Sequence, residues 1–246
     1  MDPILYNAAN GGRSNFGRQE VLANNLANAN TPGFRADLYQ AQTMYTQAAD
    51  GSLGQAFNVQ TPNGVDLTPG EMIPTGRNLD VAVSGNGWFA VRDSQGNESY
   101  TKAGSLRLDV NGLLTTTSGK SVMGNGGPIS IPPAKSIDIG VDGTISIVPL
   151  GGDSKSSTVV DRIKMVTLDK NNISKNGDGL FQLKNGGAAP ADNAVNLRSG
   201  VLEGSNVQAV EQMVAMITAG RDFETHMNLM STINENLQKL TQVLHE

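Results

Sequence analysis

The sequence predicts an α+β protein, with long helices at both ends and a central antiparallel all-β domain. Three patterns predict it. Apolar residues in the first thirty positions recur at helical steps, and short β-branched runs separated by Asn-Gly, Asp-Gly and Gly-Gly pairs fill residues 76 to 195. Helical spacing then returns at residue 206 and holds to the end.

The first element covers residues 1–34, with Ile4, Leu5, Ala8, Ala9, Phe16, Leu22, Leu26 and Ala29 at steps of three and four or their sums. Asp2-Pro3 is a helix start, because the aspartate accepts orphan N–H bonds and proline at the first helical position loses no bond it would have made. Thr31-Pro32-Gly33 is the stop: the residue before a proline is driven out of the helical region, and Pro-Gly favours a type II turn. Gly11-Gly12 weakens the middle of this helix by about 1 kcal/mol per glycine. Just before the stop, Asn24, Asn25, Asn28 and Asn30 alternate with small apolar residues. Asparagine amides bond neighbouring backbone groups without the desolvation cost of a charge, so this stretch is expected to be a seam between subunits, followed by a sharp exit.

Residues 35–75 are rich in Gln, Thr, Pro and Gly and are expected to form an extended linker with short strands, turning at Thr61-Pro-Asn-Gly and Thr68-Pro-Gly. Residues 76–195 form the central β domain, with LDVAVSGNGWFAV, SLRLDVNGLLTT, SIDIGVDGTISIV, DRIKMVTLD and GLFQL as its strand-bearing runs. Each Asn-Gly or Asp-Gly supplies the positive φ angles that tight hairpins require. Hairpins close locally, so this domain is expected to fold alone.

Residues 196–205 link the β domain to a C-terminal helix over 206–246. Within it Met213, Met216, Gly220, Phe223, Met227, Met230, Asn234, Leu237, Thr241 and Leu244 step alternately by three and four, a heptad seam held for more than four heptads. Val210, Val214, Ile217, Leu229, Ile233 and Leu240 widen the stripe, whereas Glu211, Asp222, Thr225, Glu235, Lys239 and Gln242 fall on the other side. Such a stripe is longer than a small β domain can cover, so it needs other helices.

Composition excludes several functions. A net charge of −5 and a pI near 5.1 provide no basic surface for nucleic acid or anionic lipid. Cysteine is absent, and His226 and His245 stand too far apart for a zinc site, so neither disulfide nor metal nor other cofactor is expected. No apolar run approaches the roughly 18 to 20 residues that span a bilayer, and MDPILYNAANGGRSNF has neither the basic start nor the apolar core of a cleavable signal.

Some motifs imitate chemistry. Gly85-Asn86-Gly87-Trp88-Phe89-Ala90 matches a dinucleotide fingerprint, but WFAV continues as a strand where a helix must begin, so a hairpin turn is expected. Thr115 to Ser121 resembles the end of a phosphate loop with Leu114 in place of its first glycine, and Asp169 to Gly179 breaks the calcium-loop pattern. Turns explain both. No carboxylate pair or nucleophile arrangement stands out, and the chain is not expected to be an enzyme.

ANNLANANTPGFR near the start, LDVAVSGNGWFAV with YTKAGSLRLDVNGLLTTTSGK in the middle, and SGVLEGSNVQAVEQMVAMITAGRDFETHMNLM near the end together resemble the flagellar axial rod and hook proteins. Within that family MDPILYNAANG, TPGFRA and the length point to a proximal rod type, while distal rod and hook-type proteins share much of the pattern. The resemblance implies that the two terminal helices pair as a coiled coil lining a tube, with the β domain outside. It also implies a structural subunit of the basal-body rod that transmits torque from motor to hook, with other rod proteins and copies of itself as partners. Export by the flagellar type III apparatus, without a cleaved leader, and assembly in the periplasm are implied too. Gln208, where the family often has Asp, and Gly11-Gly12 depart from the motif. The assembly interface is expected at Ile4, Leu5, Leu22, Asn24, Asn25, Leu26 and Asn28, together with Val210, Met213, Val214, Met216, Ile217, Gly220, Phe223, Met227, Met230, Ile233, Leu237, Leu240 and Leu244, and the turn at Thr31, Pro32 and Gly33. A reading of another class is a secreted carbohydrate-binding or hydrolytic β module on a coiled-coil stalk. Sugar binding favours a platform of exposed aromatics, and Trp88 is the only tryptophan.

Overall fold

The two terminal periodicities become α1 over Pro3–Ala27 and α2 over Ala209–Val243. The computed structural model describes residues 3–47, 53–150 and 157–243, leaving aside the side chains of 3–9, 40–47, 53–63, 234, 236–238 and 240–243. The chain divides into two units. Both helices and residues 36–66 make a helical unit, while 30–35 and 67–206 make a β body.

In the helical unit α1 and α2 run antiparallel, because Gly11 meets His226, Gly12 meets Phe223, Arg18 meets Asp222 and Asn25 meets Gln212. Rising numbers on one helix meet falling numbers on the other. The expected linker is largely a ribbon: β1 (Asp37–Gln47) pairs antiparallel with β2 (Leu53–Val65). At 11 and 13 residues these strands are long where short ones were expected. The expected turn at Thr61-Pro62-Asn63-Gly64 lies inside β2, where the register slips between Leu38 and Gln40. A proline cannot donate to the ladder, and a bulge tolerates that without ending the strand. Tyr39 ties the ribbon to α1 by donating its hydroxyl to the Ser14 carbonyl at 2.5 Å.

The β body follows as β3 (Met72–Pro74), β4 (Val81–Val83), β5 (Gly87–Arg92), β6 (Glu98–Thr101), β7 (Leu106–Leu108), β8 (Leu114–Thr116) and β9 (Ser121–Val122). It continues with β10 (Ala134–Ile139), β11 (Thr144–Pro149), β12 (Thr158–Arg162), β13 (Met165–Thr167), β14 (Ile173–Lys175), β15 (Phe181–Leu183), β16 (Leu197–Ser199) and β17 (Val201–Glu203). The main sheet runs β14-β15-β6-β5-β9-β8-β7, with β13 beside β5; β10, β11 and β12 make a second sheet. Two-stranded pairs β16-β4 and β17-β3 complete the body, so it reaches past both ends of 76–195 and uses residues 197–203 as strands rather than as a linker.

LDVNGLL forms the β7–β8 hairpin and IGVDGTI the β10–β11 hairpin. Gly85-Asn86-Gly87 is a turn but not a hairpin, because β4 pairs with β16 and β5 enters the main sheet. Chain polarity there is decided by partners distant in sequence. Val81, Phe89, Leu106, Leu114, Ile145 and Leu197 are among the side chains that close one apolar core. Trp88, next to Phe89 on β5, points the other way and stacks on Phe181 with ring centroids 4.6 Å apart. At 4% exposure Trp88 presents no ring face to a sugar.

Candidate assembly surface

At about 100° per residue around a helix, residues of α2 separate into two opposite faces. Gln212, Met216, Ala219, Phe223, His226, Met230 and Ile233 are buried or half-buried and stand toward α1. Val210, Met213, Val214 and Ile217, at i, i+3, i+4 and i+7, lie about half a turn away. Their exposures are 69%, 45%, 59% and 59%. Four apolar side chains thus share one outward face. Further along that face come Arg221, Glu224 and Asn228, so the apolar patch is confined to the first turns of α2.

The expected seam is therefore split. Met216, Gly220, Phe223 and Met230 are half-buried, whereas Met213 and Met227 are exposed; in the flank Ile233 is half-buried and Leu229 exposed. The reason lies in α1. A Cβ on Gly11 would stand 2.7 Å from the His226 ring, so this crossing brings a flat side chain against bare backbone. Ala219, fully buried, lies on the same face, and the bulkier aliphatic stripe is turned outward. Gly11-Gly12, which weaken α1 as an isolated helix, are thus used to receive α2. Periodicity alone gave no sign of Gln212, Ala219 and His226 as the facing residues, because two of the three are polar.

Of the α1 residues, Leu22, Leu26 and Asn28 are half-buried, Asn24 is exposed and Asn25 is buried. Asn25 donates to the Asp37 carbonyl at 2.9 Å and accepts from the Asp37 amide at 2.8 Å, a two-way clasp on the first residue of β1. Its amide is spent within the chain rather than offered to a neighbour. Asn28 donates to the Asn24 carbonyl at 2.9 Å and closes the helix end. Ile4, Leu5, Leu237 and Leu240 have side chains outside the described residues, and Leu244 lies outside them altogether.

In the β body, Phe34 donates its amide to Thr31 at 3.2 Å and Gly33 has φ +71°, the turn that Pro-Gly chemistry favours. Gly33 is doubly required, since an added Cβ would also strike the Lys102–Ala103 backbone. Arg35 follows. Its guanidinium is 1% exposed and bonds the equally buried Glu203, with Lys102 Nζ 3.6 Å from the same carboxylate. Burial pushes the Lys102 ammonium below its ordinary value, Glu203 opposes this, and the charge of Arg35 adds to it. Sequence reading missed this cluster; its only visible signal was an arginine directly after a turn motif.

A body that fills its own core, with a helix whose apolar face is exposed among the described residues, is the build of an assembly subunit. Three family models match: the flagella basal body rod protein over residues 5–35, the flagellar hook protein FlgE/F/G D1 domain over 82–147, and the flagellar basal body rod FlgEFG protein C-terminal over 198–243. Flagellar basal-body rod protein FlgF of Salmonella typhimurium is 38% identical over 250 residues, covering 99% of each chain. FlgF of Caulobacter vibrioides is 31% identical, covering 96% of this chain and 95% of its own. FlgG of Bacillus subtilis is also 31% identical, covering 97% and 98%. The chain belongs to the flagellar basal-body rod protein family.

Proposed function

We infer that the chain is a structural, non-enzymatic subunit of the bacterial flagellar rod, of the proximal type, and passes torque from motor to hook. The observation that carries this is the apolar face of Val210, Met213, Val214 and Ile217, opposite the side of α2 that meets α1. An isolated protein gains nothing from four exposed aliphatic side chains on one face, whereas a tube subunit buries them against the next helix. In this reading α1 and α2 wind as an antiparallel coiled coil, and residues 1–34 and 206–246 build the wall of the tube. Residues 76–195 are the heart of the outer β domain. Asn24, Leu22, Leu26 and the outward side of α2 meet other rod proteins and further copies of this chain. Family membership also supports export through the flagellar type III apparatus without a cleaved leader, and a rod that crosses the periplasm.

Complementation of a null strain tests it. Ile217→Lys places a charge on the apolar patch, and Asn228→Lys places the same charge three turns on, where the face is polar. The first is expected to be made and exported without restoring rods or swimming; the second is expected to restore both. Secreted protein is measured beside motility so that an export defect is not mistaken for an assembly defect. Normal swimming of an exported Ile217→Lys strain would overturn the reading.

A further inference from the structure

Glu203 gathers more of the chain than any strand residue needs. Its Oε1 accepts from the Arg35 guanidinium and from the Gly70 amide at 3.2 Å, Oε2 lies 3.6 Å from Lys102 Nζ, and its backbone oxygen accepts from the Gly33 amide at 2.7 Å. Next to it Gly204 donates to the Glu71 carbonyl at 2.7 Å. The chain passes between the two units at 29–30, 35–36, 66–67 and 206–207. Gly33, Arg35, Gly70 and Glu203 each lie within four residues of one of these crossings.

Stability does not account for the cluster. Two cations and one carboxylate are buried together, and among the described residues Arg35 Nε and Nη1 make no hydrogen bond. Apolar residues of similar volume are often as stable as a buried ion group of this kind, or more so. What they cannot supply is direction: a carboxylate that accepts from Arg35 and Gly70 through one oxygen and pairs with the Lys102 charge through the other holds those three segments in one arrangement. The geometry points to Glu203 as the anchor that fixes, within the β body, the segments next to the four crossings, so that the ends of the body's chain segments are held at one buried point. Arg35, Lys102 and Gly33 are positioning residues that act through it. The anchor is a property of the isolated chain and goes beyond the rod reading.

Hydrogen exchange on the purified full-length protein tests the anchor. Glu203→Gln is expected to speed exchange of the Gly33, Gly70, Gly204 and Asn206 amides by about tenfold or more, while the Phe89 and Val91 amides in β5 stay within about twofold. Unchanged rates at the four amides overturn the proposal. So does a parallel rise in β5, which makes Glu203 an ordinary core stabiliser. If Glu203→Gln does not fold, the triple variant Arg35→Met, Lys102→Met, Glu203→Leu decides. A protected β5 with fast exchange at the four amides supports the anchor, and protection at both overturns it. Failure of the swimming experiment with Ile217→Lys would leave these exchange rates as they are, so the anchor and the rod reading fail separately.

Discussion

The β body and the helical unit treat the same kind of side chain in opposite ways. In the body Val81, Phe89, Leu106, Ile145 and Leu197 are all at most 1% exposed, whereas in α2 Val210, Val214 and Ile217 are each more than half exposed. The body has two sheets' worth of inward positions to fill and fills them from its own strands. Two antiparallel helices share one contact line, and the apolar face of Val210, Val214 and Ile217 stays exposed among the described residues. The body buries its apolar residues in its own core, whereas the helical unit leaves one apolar face exposed.

The largest expected effect concerns where the complete part ends. Residues 30–206 produced as one piece are expected to show near-ultraviolet circular dichroism and a single cooperative melt, and residues 76–195 are not. The shorter piece lacks Leu197 and the strands β3, β16 and β17, which leaves β4 without its partner and opens the core beside Val81 and Val83. A cooperative melt of the shorter piece would show that these outer strands are accessories.

Point substitutions sharpen the comparison. Ile145→Ala removes a fully buried side chain and is expected to cost about 2–5 kcal/mol in denaturant unfolding of the monomer. Ile217→Ala is expected to change the same quantity by less than about 0.5 kcal/mol, because the side chain is already in water. If Ile217→Ala costs as much as Ile145→Ala, the outward face is covered within the chain.

Smaller effects test the helix crossing. Gly12→Ala is expected to raise helix content, measured at 222 nm, by a stabilisation of about 1 kcal/mol, since an added Cβ would rest 3.9 Å from Phe223 at ordinary contact distance. Gly11→Ala gains the same propensity but must displace His226, so it is expected to yield less than Gly12→Ala. Equal gains would place His226 away from α1.

The smallest effect is in the pH dependence of the body. Burial by itself raises the Asp93 carboxyl, but hydrogen bonds from the Asn97 and Gln95 amides, Ser99 and Gln182 outweigh it and hold the group below its ordinary value. A carboxyl lowered in the folded state stabilises above its unfolded pKa, near 3.9, and that contribution is lost as pH falls through the folded value. Asp93→Asn is therefore expected to flatten the loss of stability below about pH 4 while leaving the slope above pH 6 unchanged. An acid limb identical in the two proteins would assign the titration to other carboxylates.

Much of this protein follows from local chemistry that a sequence displays openly. Helical spacing at both ends, the turn at Pro32-Gly33 (though α1 already ends at Ala27) and the hairpins at Asn111-Gly112 and Asp142-Gly143 each depend on a few neighbouring residues, because periodicity, a fixed proline φ and a permissive glycine φ act within one turn of chain. The long pairing of β1 with β2 was hidden, since its strands are rich in polar residues and contain a Pro-Asn-Gly that elsewhere would end them. Which side of α2 meets α1 was half legible: Met216, Phe223 and Met230 of the heptad seam stand toward α1, but Met213 and Met227 do not, and the closeness of two backbones brings Ala219 and His226 to the crossing. Arg35, Lys102 and Glu203 carry no mutual signal along the chain, being separated by 67 and 101 residues. Their meeting needs the strands between them to be in place, because a charge is buried only where folding has already brought its counter-charge.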